Sequence, residues 1–114
     1  MLPRHNRIPK SDFKKIFKEG RYLHSNNLIL LYYRNNSIEE PQFAAIIKSK
    51  VTGAVGRNRI KRMIKRLLKK HLYSIKSDYQ IIFMVKNDLK DTRVNSLEEE
   101  IKYLFDKANL CKDK

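Results

Sequence analysis

The sequence predicts an α+β fold: a small sheet with helices packed on it, in the order helix, two or more strands, helix, strand, helix. Three observations predict it. Runs rich in β-branched, aromatic and apolar residues occur at 27–34, 42–48 and 79–86. Apolar residues recur with helical period over 57–73. The capping-box sequence Ser96-Leu97-Glu98-Glu99 opens a last amphipathic stretch. A chain of 114 residues has room for one core. A single domain over 1–114 is therefore expected, with a basic arm over about 1–10 and a short tail over about 111–114.

Taken in order, Ser11 suits the cap of a first helix whose Phe13, Ile16 and Phe17 fall at i, i+3, i+4, with Asp12 at its positive end and Gly20 as a stop. A short strand is expected around 21–23. Residues 27–34 are apolar on both alternating faces, as in a strand covered on both sides and lying inside the sheet. Turn residues Asn35-Asn36-Ser37 and Glu39-Glu40-Pro41 follow, so the 42–48 strand is expected to return antiparallel to the first as a hairpin. Gly53 and Gly56 precede a long helix over about 57–73, in which Ile60, Met63, Ile64, Leu67, Leu68, His71 and Leu72 make one apolar stripe. A strand over 79–86 and a helix starting at Ser96, with Leu97, Ile101, Leu104, Phe105 and Ala108 on one face, complete the order.

Charge narrows the function. Lys and Arg number 26 against 12 Asp and Glu, a formal net charge of +14. Such a chain repels itself until a polyanion neutralises it, and nucleic acid is the commonest polyanion for a basic domain. The longest apolar run, Leu28 to Tyr33, is far shorter than the roughly 20 residues of a membrane span, and the N-terminus has no apolar signal stretch. A cytoplasmic protein with no membrane partner is expected. A lone Cys111 and three scattered histidines suggest neither a disulfide nor a metal site. No nucleophile, histidine and acid fall into a catalytic arrangement, so no catalytic residue is assigned.

The basic residues are concentrated on the 57–73 helix. Outside its apolar stripe stand Arg57, Arg59, Lys61, Arg62, Lys65, Arg66, Lys69 and Lys70, with no acid among them. A merely solvated helix face usually mixes Glu with Lys in i, i+4 pairs, whereas like charges at that spacing cost a few tenths of a kcal/mol each. A row of phosphates would reverse that cost along a ridge of roughly 25 Å. Arg57-Asn58-Arg59 adds two guanidinium forks near a helix N-terminus, apt for phosphate. Phe13, Phe17, Tyr32 and Tyr33 offer rings on which bases could stack, although two Phe at i, i+4 more often serve a core.

The segment Lys50-Val51-Thr52-Gly53-Ala54-Val55-Gly56-Arg57-Asn58-Arg59-Ile60-Lys61-Arg62-Met63-Ile64-Lys65-Arg66 resembles the hallmark of the bacterial ribonuclease P protein family. Arg7-Ile8, Asp12-Phe13, Ile16-Phe17 and Gly20 resemble the family's arm and first helix, so that the likeness covers about residues 4 to 110. The resemblance implies an α/β sandwich like the second domain of a small-subunit ribosomal protein, with a left-handed βαβ crossover. It further implies a protein subunit that binds a catalytic RNA and the 5′ leader of precursor tRNA. Mg²⁺ would be held mainly by RNA, and no obligate protein partner is implied. By residue, Arg57, Asn58, Arg59, Lys61, Arg62, Lys65 and Arg66 would face the catalytic RNA. Phe13, Phe17, Leu31, Tyr32 and Lys50 would line the leader cleft. A general or ribosomal protein binding structured RNA, without precursor selectivity, is the alternative. Gly56 stands where the family usually has an apolar residue, and is expected to loosen the helix start by about 1 kcal/mol.

Overall fold

The computed structural model describes residues 3–48, 52–87, 89 and 94–112. Its elements are α1 (Phe13–Glu19), β1 (Arg21–His24), β2 (Leu28–Arg34), β3 (Gln42–Ile46), α2 (Ala54–His71), β4 (Tyr79–Val85) and α3 (Val94–Lys107). Single 3-10 turns occupy Arg4–Asn6, Lys10–Asp12 and Leu72–Ser74. The α+β class and the element order agree with the expectation, including the short strand β1.

The strands lie in the order β1-β2-β4-β3. β2 pairs antiparallel with both β1 and β4, and β3 runs parallel to β4. The expected β2–β3 hairpin is therefore incorrect, because β4 lies between the two strands. Burial explains the insertion. Ile81, Ile82 and Phe83 are wholly buried, so β4 presents apolar side chains to both faces and gains most at the centre. The turn residues after β2 cross the start of β4 instead of reversing the chain. Asn35 N–H donates to the Asp78 carbonyl at 2.7 Å, Asn35 Nδ2 donates to Gln80 Oε1 at 3.1 Å, and Arg34 Nε donates to Asp78 Oδ2 at 2.7 Å.

Each face of the sheet has its own core. On one face, Leu28, Leu30, Phe43, Ile81, Phe83 and Val85 pack with Ile60, Ile64, Leu67 and Leu68 of α2 and with Leu97, Ile101, Leu104 and Phe105 of α3. On the other, Leu31 and Ile82 pack under Ile16 of α1 and Ile8 of the arm. The arm itself borders β3: Arg7 bridges to Phe43, and buried Asn6 donates from Nδ2 to the Pro41 carbonyl at 2.8 Å. A short contact made possible by Gly20 seats α1. A Cβ there would stand 2.5 Å from the Ile16 carbonyl oxygen and 2.8 Å from Leu31 Cδ1.

Three helix starts differ from expectation. Ser11 lies in the 3-10 turn, and the residue before α1 is Asp12, whose Oδ2 accepts from Gln80 Nε2 at 2.9 Å. α2 begins at Ala54, three residues early, with Gly56 inside its first turn. The Thr52 side chain folds into the space that a Cβ on Gly56 would occupy, so the glycine is used for packing rather than as a break. α3 begins at Val94, which puts Ser96 within the helix and not at its cap. Two glutamates of that segment instead reach other elements: Glu98 binds α2, and Glu100 accepts from the backbone N–H and the side chain of Asn27 at 2.7 and 3.1 Å.

Candidate nucleic-acid interface

α2 presents its cations as a graded ridge. Arg62, Lys65, Arg66 and Lys69, at i, i+3, i+4 and i+7, line one shallow depression on the outer face of the helix. Asn58, Arg59, Arg62, Arg66 and Lys69 are exposed, while Arg57, Lys61 and Lys65 are partly covered. The ridge ends at Lys70. Its Nζ lies 2.9 Å from Glu98 Oε2, and His71 Nε2 lies 2.7 Å from the same oxygen. Lys70, then His71, holds the Glu98 carboxyl well below the usual range, at about 2. The charge of Lys70 is thereby matched within the fold, and the α2 cations upstream of it make no ion pair among the described residues.

Arg57 and Arg59 stand roughly 200° apart around the helix, so their forks point to different sides. Each is anchored through one nitrogen. Arg57 Nη1 donates to the Thr52 carbonyl and Arg59 Nη2 to the Leu89 carbonyl, both at 3.0 Å. Anchoring restricts the side chain while leaving other guanidinium N–H groups to meet an anion, which reduces the entropy lost on binding.

The second surface is the α1 face of the sheet. Phe13 and Phe17 stack with centroids 6.5 Å apart, and Phe17 is 38% exposed. Tyr33 packs on the same small core as Phe13, and Lys15 Nζ stands 5.7 Å from the Tyr33 ring centroid. Tyr33 is also the largest cause raising the Lys15 pKa. Beside α1 the paired residues Ile46, Met84 and Ile29 remain only half-buried, forming an apolar floor. Rings, an apolar floor and the exposed Lys14, Lys15 and Lys18 suit an unpaired strand, with bases inward and phosphates outward.

Two residues expected in this cleft do not reach it. Leu31 is wholly buried under α1 and acts as support, because Gly20 lets the helix close over it. Tyr32 faces the opposite side of the sheet and packs on the α2/α3 core beside Tyr79. Strand alternation puts Tyr33 on the Leu31 face, a signal already present in the sequence. Lys50 lies outside the described residues. Sequence reading missed the Asp12–Gln80 and His71–Glu98 contacts, which join residues far apart in the chain and leave no local pattern.

The fold matches solved structures of known proteins. The Staphylococcus aureus RNase P protein, as a mutant with defective mRNA degradation activity, superposes with a TM-score of 0.84 at 25% identity, covering 92% of this chain and 89% of that one. The RNase P protein of Thermotoga maritima shares the fold with a TM-score of 0.81 at 22% identity, over 89% and 96%. The ribonuclease P protein component of Alkaliphilus metalliredigens is 27% identical over 107 residues, 93% of this chain and 96% of the relative. The Ribonuclease P family model matches residues 2–109. The chain belongs to the ribonuclease P protein family.

Membership covers the ridge, the α1 cleft and the sheet between them. Among the described residues no group of three or more His, Cys, Asp or Glu is placed to hold a metal ion. No described helix is long and apolar enough to cross a membrane.

Proposed function

We propose that this chain is the cytoplasmic protein subunit of ribonuclease P, binding the catalytic RNA through the α2 ridge and the 5′ leader of precursor tRNA in the α1 cleft. It thereby assists endonucleolytic removal of the leader, with no catalytic side chain of its own. The observation that supports this most is the acid-free outer face of α2, where Arg62, Lys65, Arg66 and Lys69 share one depression. Phosphates entering it would relieve the repulsion between cations one turn apart. Mg²⁺, held by the RNA and the substrate, would supply charge stabilisation at the scissile phosphate. The protein's residues contribute by screening phosphates, which lowers the cost of bringing two polyanions together, and by fixing the leader through Phe13, Phe17 and Tyr33.

The test is cleavage of a leader-bearing precursor tRNA at low Mg²⁺ by a bacterial ribonuclease P RNA, with and without this protein. Rescue that disappears in the Arg57→Glu/Arg59→Glu double variant is expected. Absence of rescue despite tight RNA binding would replace this reading with general binding of structured RNA.

A further inference from the structure

At the end of the sheet where β4 begins, on the face bearing α2 and α3, two arginine–tyrosine pairs stand side by side. Arg21 is paired across β1 and β2 with Tyr32, and Arg34 across β2 and β4 with Tyr79. Tyr32 and Arg34 are two apart on one strand and share a face, so the four side chains form a staggered block across β1, β2 and β4. The tyrosine rings lie 6.4 Å apart, inclined by 49°. Together with Glu19, Tyr33 and Ala108 these residues line a pocket. Arg34 is oriented by Asp78 through Nε at 2.7 Å, and among the described residues the Arg21 side chain makes no hydrogen bond or ion pair. Neither the ridge nor the leader cleft uses this block.

We infer that this block is a second RNA-binding pocket, in which an unpaired nucleotide of the catalytic RNA stacks on Tyr32 and Tyr79 while Arg21 and Arg34 take its flanking phosphates. Ring faces recognise any base, and guanidinium forks recognise the adjoining phosphate oxygens, so this set of groups fits single-stranded RNA. Position identifies the source. The Tyr32 and Tyr79 rings share a face of the sheet with α2, whose ridge meets the catalytic RNA, and lie on the opposite face from Phe13, with Tyr33 at the pocket rim as the one residue common to it and the leader cleft. The inference rests on the proposed function and adds a contact to it.

Binding of the full chain to ribonuclease P RNA tests it, using Tyr32→Leu/Tyr79→Leu, Tyr32→Phe/Tyr79→Phe and Arg21→Gln. Loss of stacking is expected to weaken the leucine double variant about 10-fold. The phenylalanine variant should bind within about 2-fold of the parent, since it keeps both rings. Preference of the assembled holoenzyme for leader-bearing over mature tRNA should be unchanged in all three. Nitration of Tyr32 and Tyr79 in the unsubstituted chain, slowed on assembly with the RNA, checks the contact without relying on a variant's folding. Parent-like affinity of the leucine variant, equal losses in the leucine and phenylalanine variants, or unslowed nitration would overturn the pocket and leave the functional reading standing. A selective loss of leader preference would overturn the assignment to catalytic RNA. Failure of the unsubstituted chain to bind the RNA would remove both.

Discussion

Glu98 Oε2 lies 2.7 Å from His71 Nε2 and 2.9 Å from Lys70 Nζ, joining the first turns of α3 to the last turn of α2. The pair contributes to stability in a direction that follows from the Glu98 pKa, which falls from 4.5 to about 2 on folding. Between those values the unfolded chain binds more protons than the folded one, so stability rises with pH across that window. The contribution is fully present above about pH 5 and is lost as pH falls toward 2. Urea midpoints should therefore differ between the parent and Glu98→Gln at pH 6 and converge near pH 2. A constant difference at all pH values would contradict the assignment.

The two glycines of the helical segments should respond oppositely to alanine. At Gly20 the new Cβ would meet the Ile16 carbonyl and Leu31, both held in the core, so Gly20→Ala is expected to cost about 2 kcal/mol or more. At Gly56 it would meet only the side chain of half-exposed Thr52, which can turn away, and the helix gains up to about 1 kcal/mol in propensity. Denaturant unfolding of the two variants measures both signs.

Affinity for the RNA should depend steeply on salt. If the ridge neutralises about six phosphates, log K is expected to fall with log salt at a slope of about −4 to −5. Removing one ridge cation, as in Arg66→Gln, should reduce the magnitude of that slope by slightly less than 1. A slope near zero would mean that the ridge does not meet phosphates.

Phe13→Ala should weaken binding of leader-bearing precursor more than binding of mature tRNA, by about 5-fold or more for a lost stacking partner. Tyr33→Leu should act in the same sense, because Tyr33 stands on the same face, whereas Tyr32→Leu should leave the preference unchanged. Equal losses on precursor and mature tRNA would count against a leader cleft.

Much of this was legible in the chain itself. The apolar stripe of α2 and its cationic remainder follow from spacing, and each stripe residue from Ile60 to Leu68 is buried as expected. Spacing placed Phe13 and Phe17 on the first helix, where they stack, and the resemblance added the expectation that they line a leader cleft. Local chemistry misled at the caps. Ser11 and Ser96 are suitable N-cap residues, but Asp12 and Glu98 make contacts with β4 and α2 that a capping rule does not contain.

By itself the sequence determined which segments are helix and strand, which of their faces are apolar, and that the outer face of α2 would be left without acids. Those properties depend on periods of two and 3.6 residues and on composition, all local. Only the tertiary structure decided that β4 separates β2 from β3, that Tyr32 and Tyr33 serve opposite faces of the protein, and that Lys70 is paired with Glu98 while Arg66 has no ion pair among the described residues. Strand order depends on where the most apolar strand can bury both faces, and charge pairing depends on which helix packs alongside. Both are contacts between residues distant in the chain, so no local pattern records them.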